Sequence, residues 1–210
     1  MNIKFSLLLM LLFTITTSFA QKDWKLVKDK KGIKVWTMDY PNSGFKQFKA
    51  ETRIKSEIEP MVAAFLDVEN MSAWYDRIEK VTLVESTSDK EGVYILDFDL
   101  PWPVSDRISA VRAVLTHDPN TNVVTVKTQY EPGVIEDSKK QVVTDIQSEW
   151  ILTPTDDGYV EIFHKGYMHP SGKLPAWIAN SGVKDGPVKT LTKLQEILPE
   201  YQKVDVDFID

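Results

Sequence analysis

Strand-forming runs separated by turn signals fill most of this chain, and their spacing limits its fold more than any other feature. Four such runs follow one another between Val81 and Tyr130, and two more lie between Asp145 and Met168. Two earlier strands are predicted within residues 25–54, beside the Lys-Lys-Gly and Pro-Asn-Ser-Gly turns. Turn signals at intervals of roughly eight to twelve residues are typical of an antiparallel meander.

The period of the apolar residues changes near the C-terminus. Pro175 opens a helical stretch containing Trp177, Gly182 and Gly186 interrupt it, and Pro187 restarts it. After the restart, one face carries apolar residues: Val188, Leu191, Leu194 and Leu198. Because an amphipathic helix must cover an apolar surface, we expect this helix to lie on the meander.

Two short helices are expected before the meander, one starting at Pro60 and one over Met71–Asp76. The sequence therefore predicts an α+β fold in which a curved antiparallel β-sheet wraps around a long C-terminal α-helix. Where the sheet bends away from the helix it leaves a gap, and such a gap can hold a small apolar molecule.

Residues 1–20 have the composition of a secretory signal peptide. A single lysine precedes the apolar run Phe5–Phe13, and small residues, Ser18 and Ala20, flank an expected cleavage after Ala20. The alternative is a membrane anchor, but the apolar run is shorter than the about 20 residues that a helical span needs. We predict a periplasmic or secreted protein without a lipoprotein cysteine, whose residues 21–210 form a single domain.

Composition argues against several functional classes. The 31 acidic residues outnumber the 25 basic ones, for a formal net charge of −6, which disfavours a nucleic-acid partner. The chain has no cysteine, so disulfides and thiolate metal sites are excluded. His117 and His169 lack neighbours spaced as metal ligands, and we expect neither metal nor cofactor. No nucleophile elbow or phosphate-binding loop is present, which favours binding over catalysis.

Several local motifs resemble the START lipid-transfer domain, a member of the helix-grip superfamily with the Bet v 1-like proteins and polyketide cyclases. They span most of residues 21–210, and their order and spacing carry the resemblance. The motifs are Asp67 with Met71-Ser72-Ala73-Trp74, Pro101-Trp102-Pro103-Val104-Ser105-Asp106-Arg107, Glu149-Trp150, and Gly172-Lys173-Leu174-Pro175-Ala176-Trp177. The resemblance implies a lipid-sized cavity roofed by the C-terminal helix.

One position departs from the family pattern. The family often has aspartate after the arginine of the hairpin entry, where this sequence has Ile108. A ligand contact or internal ion pair that depends on that second acid is therefore not carried over, and Asp106 could replace it only with a different geometry.

Aromatic side chains are the first group of candidate ligand-binding residues. Tyr94 and Phe98 share a wholly apolar strand face that should look inward. Trp74, Trp102 and Trp177 lie in segments that the family places around its cavity, and prolines beside Trp102 present it on a loop. The alternative is that these side chains fill the core, because lining a cavity and packing a core require the same residue types.

Three basic or titratable residues complete the candidate set. Arg107 forms either a surface ion pair with Asp106 or a contact at the cavity rim, to a ligand polar group or to the last helix. Arg112 lies on a strand with two largely apolar faces, and if it points inward it needs a carboxylate or a ligand acceptor. His164 is either a core residue or a hydrogen-bonding partner of the ligand.

These observations leave three functional hypotheses. The first is an exported, monomeric carrier that holds one lipid or other hydrophobic small molecule between sheet and helix, with transient membrane contact near Lys184, Lys189 and Lys193. The second is a cyclase-like or hydrolytic enzyme that uses the same cavity. The third is an interaction module with a filled core.

Overall fold

The computed structural model describes residues 23–100, 102 and 104–207, so the predicted signal peptide lies outside the described residues. The strands are β1 (Lys25–Lys30), β2 (Ile33–Asp39), β3 (Lys46–Lys55), β4 (Ile78–Ser88), β5 (Glu91–Phe98), β6 (Arg107–Asp118), β7 (Val123–Tyr130), β8 (Gln141–Val142), β9 (Asp145–Thr155) and β10 (Tyr159–His169). The helices are α1 (Ile58–Leu66), α2 (Met71–Trp74) and α3 (Ala176–Ile197), with 3₁₀ turns at Val68–Asn70 and Leu198–Tyr201.

The strands of the described residues form one sheet in the order β1-β2-β3-β10-β9-β7-β6-β5-β4, and short β8 pairs in parallel with β6. The other pairings are antiparallel, as the turn spacing predicts. The pairing of β4 with β5 shifts register at three places. Such bulges bend a strand and increase its twist, so this end of the sheet curves.

Alternation along the strands fixes which side chains face the interior. Tyr94, Leu96 and Phe98 of β5 share one face and line internal space, as predicted. On β10, Ile162 and His164 are buried on the corresponding face. The inner face of the sheet therefore supplies both the packed core and the walls of the cavities.

Helix α3 is continuous, and the predicted interruption at Gly182 and Gly186 is wrong. The surrounding helix keeps both glycines helical, and Pro187 lies inside it. The two halves of α3 nevertheless differ, because its buried residues are all in the second half: Pro187, Thr190, Leu191 and Leu194.

The core lies under the second half of α3. Leu191 and Leu194 pack in one cluster with α1, Trp74 and the inner faces of β9 and β10. Tyr201 fastens the chain after α3 to α1, since its hydroxyl donates to Asp67 Oδ2 at 2.8 Å. This arrangement is the predicted α+β helix-grip fold. Among the described helices, none combines the length and apolar character needed to cross a bilayer.

Candidate functional site

Two adjoining cavities lie between the sheet and the helices. The larger cavity, about 370 Å³, is roofed by the first half of α3 and floored by β10 and the segments around Leu100 and Val104. The smaller cavity, about 130 Å³, lies toward α1 and α2. Four residues line both: Tyr75, Phe98, Ile146 and Ser148. A solidly packed interior, as expected for an interaction module, would lack these spaces.

The walls of both cavities are mainly apolar. Phe65, Met71 and Leu115 line the smaller cavity, and Met168 and Ile178 line the larger one. Ligand-sized cavities with apolar walls and few polar groups favour guests that remove apolar surface from water. The chemistry of the guest therefore depends on the few polar groups that face it.

Tyr75 and His164 form a hydrogen-bonded pair of polar side chains where the two cavities meet. Tyr75 lines both cavities, and its hydroxyl lies 3.3 Å from His164 Nε2. The imidazole is stacked on Trp150, with ring centroids 3.5 Å apart, and meets the edge of Phe48 at 4.8 Å. The three rings around it hold the imidazole in one orientation.

Burial keeps both members of this pair neutral. His164 is 1% exposed, and desolvation lowers its pKa well below the ordinary histidine value. Desolvation likewise raises the pKa of Tyr75. Both shifts disfavour the charged form of the group, as expected for burial in apolar surroundings.

Gly166 lets an aromatic ring lie across the sheet beside this pair. A Cβ at position 166 would come within 2.8 Å of Phe48 Cε1, a distance that real Cβ atoms do not show. Glycine inside a strand often marks such a close approach. Because Phe48 contacts His164, Gly166 contributes indirectly to the position of the imidazole.

Four of the predicted ligand-binding residues line the cavities. Trp74 and Tyr94 line the smaller cavity, Phe98 lines both, and His164 lines the larger one. Trp74 is fully buried between Phe65, Tyr75 and Trp150. Whether these residues contact a guest stays a prediction.

Arg107 is buried, with 5% exposure, and the alternative of a surface ion pair is wrong. Its Nε donates to Pro170 O at 2.7 Å, and Nη1 donates to Ser105 Oγ at 2.8 Å and to Ser105 O. Burial lowers the pKa of Arg107. The guanidinium therefore ties the β5–β6 connection to the segment that leads into α3, and it is bound by protein groups.

Arg112 points away from the cavities, contrary to its prediction as a ligand-binding residue. Its neighbours Val111 and Ala113 line the smaller cavity, so Arg112 lies on the opposite face. It makes a bidentate pair with Glu131, at 2.9 and 3.2 Å, and a contact to Glu91 at 2.8 Å. These carboxylates raise the pKa of Arg112. Arg112 therefore holds the chain that follows β7 against the outer face of the sheet.

Trp102 and Trp177 are exposed, and neither is among the described residues that line the cavities. Their exposed fractions are 92% and 75%. Residues on both sides of each tryptophan do line the larger cavity: Leu100, Val104, Leu174 and Ile178. The two indoles therefore flank the larger cavity from outside, and their contact with a ligand stays a prediction.

Sequence reasoning missed Tyr75, Ser148 and the lining residues of α3. Tyr75 follows Trp74 just after α2, where no periodic pattern indicates its direction. Ser148 alternates with buried Trp150 on β9, so strand phase could have identified it. Gly166 inside a strand was a further signal of close packing that was available in the sequence.

The first half of α3 is held by few contacts. Asn180 accepts a hydrogen bond from Lys46 N at 2.9 Å and donates to Gly44 O at 3.2 Å. Asp185 pairs with Lys28 at 2.9 Å. The second half is instead anchored by Leu191 and Leu194 in the core. The first half of α3 therefore has none of the helix's buried residues and is attached to the sheet nearer the surface.

A curved antiparallel sheet gripping one long helix over an apolar cavity defines the helix-grip class of binding domains. No family model matches the chain. A crystal structure of a STAR-related lipid transfer protein from Xanthomonas axonopodis superposes with a TM-score of 0.76 and 28% identity, covering 84% of this chain and 98% of that one. The chain therefore has the fold of the START lipid-transfer domains, and a bacterial member with this fold is also similar to it in sequence.

Sequence comparison finds relatives that match most of the chain. An uncharacterised protein of Pseudomonas aeruginosa is 30% identical over 184 residues, which cover 87% of this chain and 90% of that protein. Phosphatidylcholine transfer protein of Rattus norvegicus is 22% identical over 187 residues, 86% of each chain. The relatives are thus matched over nearly their whole length.

Proposed function

We propose that the protein is an exported carrier that holds one lipid or similar hydrophobic molecule in the cavities under α3 and transfers it. The larger cavity, apolar and adjoining the smaller one, is the observation that carries this proposal. Similarity to a lipid transfer protein supports it. The comparisons do not favour the alternative of a cavity enzyme.

The proposal includes the protein's setting. Residues 1–20 support export to the periplasm or the medium. The carrier acts as a monomer and touches membranes only briefly, and its net charge of −6 disfavours nucleic acid as a partner.

Filling the larger cavity should remove binding. Ala179 of α3 lines this cavity, whereas Lys184 of the same helix is exposed. We expect Ala179→Trp to weaken the binding of pyrene, an apolar fluorescent guest, at least about tenfold, because the indole occupies the guest's space. Lys184→Trp is the matched control and should leave pyrene affinity unchanged. Equal affinity of both variants and wild type would contradict the proposal.

Exchange with a membrane would use the exposed indoles beside the larger cavity. Tryptophan suits the membrane interface because it has a large apolar face and one polar donor. We expect the double variant Trp102→Ala/Trp177→Ala to reduce flotation with phosphatidylcholine vesicles about tenfold. Trp36→Ala, at a half-buried position of β2 that does not line the larger cavity, serves as the control. Unchanged flotation of the double variant would contradict membrane docking at this entrance.

A further inference from the structure

Part of the wall of the smaller cavity is made of residues that also face the solvent. Leu66 at the end of α1 is 39% exposed, Asp89 of the β4–β5 turn is exposed, and both line this cavity. Val68 and Lys90, close to them in the chain, line it as well and are half-buried. These walls indicate an opening between the end of α1 and the β4–β5 turn.

The inner face of β4 loses its cover at the same place. Val81 and Leu83 point to the same face of β4, because they are two residues apart, and Val81 lines the smaller cavity. Val81 is 8% exposed, whereas Leu83 is 49% exposed. Leu83 pairs with Tyr94, which also lines this cavity. The apolar inner face thus continues past the cavity into the solvent, where an emerging alkyl chain would cover it.

This opening lies at the opposite end of β5 from Trp102. The β4–β5 turn precedes β5, and the connection that carries Trp102 follows it. Leu100 and Val104 of that connection line the larger cavity, which adjoins the smaller one at Tyr75 and Phe98. The two cavities therefore form one mainly apolar path that reaches the surface near both ends of β5.

From this geometry we propose that the smaller cavity has its own opening between Leu66 and the β4–β5 turn, and that the end of a long alkyl chain of the guest leaves the protein there. The inference rests on the proposed carrier function and adds a second opening to it. Cavities of about 370 and 130 Å³ suit a compact ligand, so a longer guest needs such an exit.

The second opening determines which chain lengths the protein accepts. Because the excess length of a chain lies outside the protein, against Leu83, the volume of the cavities does not limit the length of the guest. The exit is wide enough for one alkyl chain only. A wide, rigid guest such as pyrene therefore still leaves through the larger cavity.

Closing this opening should weaken the binding of long chains alone. Two probes with the same head, N-octyl dansylamide and N-octadecyl dansylamide, are titrated by fluorescence against the full chain. We expect Leu66→Trp to weaken binding of the octadecyl probe at least about tenfold, because each methylene kept out of apolar surroundings costs about fourfold in affinity. The octyl probe, whose chain ends inside the cavities, should bind unchanged, which also shows that the variant is folded.

Leu26→Trp is the matched control for this substitution. Leu26 of β1 is also an exposed leucine, and it is not among the described residues that line either cavity. This variant should bind both probes as wild type does.

A reporter at the opening gives a second measurement that does not depend on Leu66. The chain has no cysteine, so bimane attached to Asp89→Cys labels this position alone. Octadecan-1-ol, supplied from a cyclodextrin complex, should shift the bimane emission to the blue, because the emerging chain end replaces water around the dye. Octan-1-ol should not shift it, and bimane on Leu26→Cys should respond to neither alcohol.

The outcomes separate the two proposals. If neither dansyl probe binds wild type, the carrier proposal fails and the inference fails with it. If both probes bind wild type but Leu66→Trp holds the octadecyl probe as tightly, the carrier proposal survives and the second opening is overturned. The absence of a bimane response at Asp89→Cys to octadecan-1-ol would overturn it as well.

Discussion

Oxidation of a Gly44→Cys/Ala176→Cys variant should slow the release of bound pyrene into excess phosphatidylcholine vesicles by about a hundredfold, because the roof can no longer lift. A Cβ at Gly44 would lie 3.5 Å from Ala176 Cβ, and disulfides have Cβ atoms about 3.5–4.5 Å apart. The chain has no cysteine of its own, so no other pairing competes within the molecule. Stopped-flow fluorescence measures the release.

The predicted slowing of release rests on the difference between the two halves of α3. The first half roofs the larger cavity and is held by Asn180 and Asp185 near the surface. The second half is fixed by Leu191 and Leu194. Pro187 lies between them and has no N–H to donate to the preceding turn, which weakens the helix there. Opening at Pro187 would uncover the cavity while leaving the core intact.

The controls use the same residues. The reduced double variant and both single-cysteine variants should release pyrene at the wild-type rate, and addition of a reductant should restore release from the oxidised form. If the oxidised protein releases pyrene as fast as the reduced one, the guest leaves by a route that does not require the start of α3 to part from the β2–β3 turn.

The sequence predicts the fold because its signals are local. Turn residues and strand alternation define the meander, and strand phase correctly placed Tyr94 and Phe98 inside. Strand alternation could not show from which face of the sheet Arg112 points, because both faces of β6 are largely apolar. The deciding partner, Glu131, lies on a connection whose path depends on tertiary packing.

The errors of sequence reasoning also have physical causes. Gly182 and Gly186 lower helix propensity, but tertiary contacts override a cost of about 1 kcal/mol per glycine, and α3 stays continuous. Trp102 was predicted to bind ligand from its segment and its flanking prolines, and the structure leaves it exposed, where a tryptophan also suits an interface. The pairing of Tyr75 with His164 joins residues far apart in sequence, and only the folded chain brings them together.

Acidification should destabilise the wild-type protein through His164. Burial lowers the pKa of His164 in the folded state, so the unfolded chain takes up this proton first as the pH falls. Stability is therefore fully present above about pH 6.5, the ordinary histidine value, and is lost progressively as the pH falls toward the folded-state value. One proton gives at most about 1.4 kcal/mol per pH unit, so the loss between pH 6.5 and 5 should not exceed about 2 kcal/mol.

Urea unfolding at a series of pH values measures this loss, and His164→Phe should remove most of it while keeping an aromatic ring against Trp150. The carboxylates whose pKa values are lowered by partners, such as Glu131 beside Arg112 and Asp157 beside Arg53, lose their contributions only near and below about pH 4. His117→Gln, at a half-buried turn position bonded to Asn122, controls for removal of a histidine as such. If His164→Phe loses as much stability as wild type over this range, His164 is not the group that takes up the proton on unfolding.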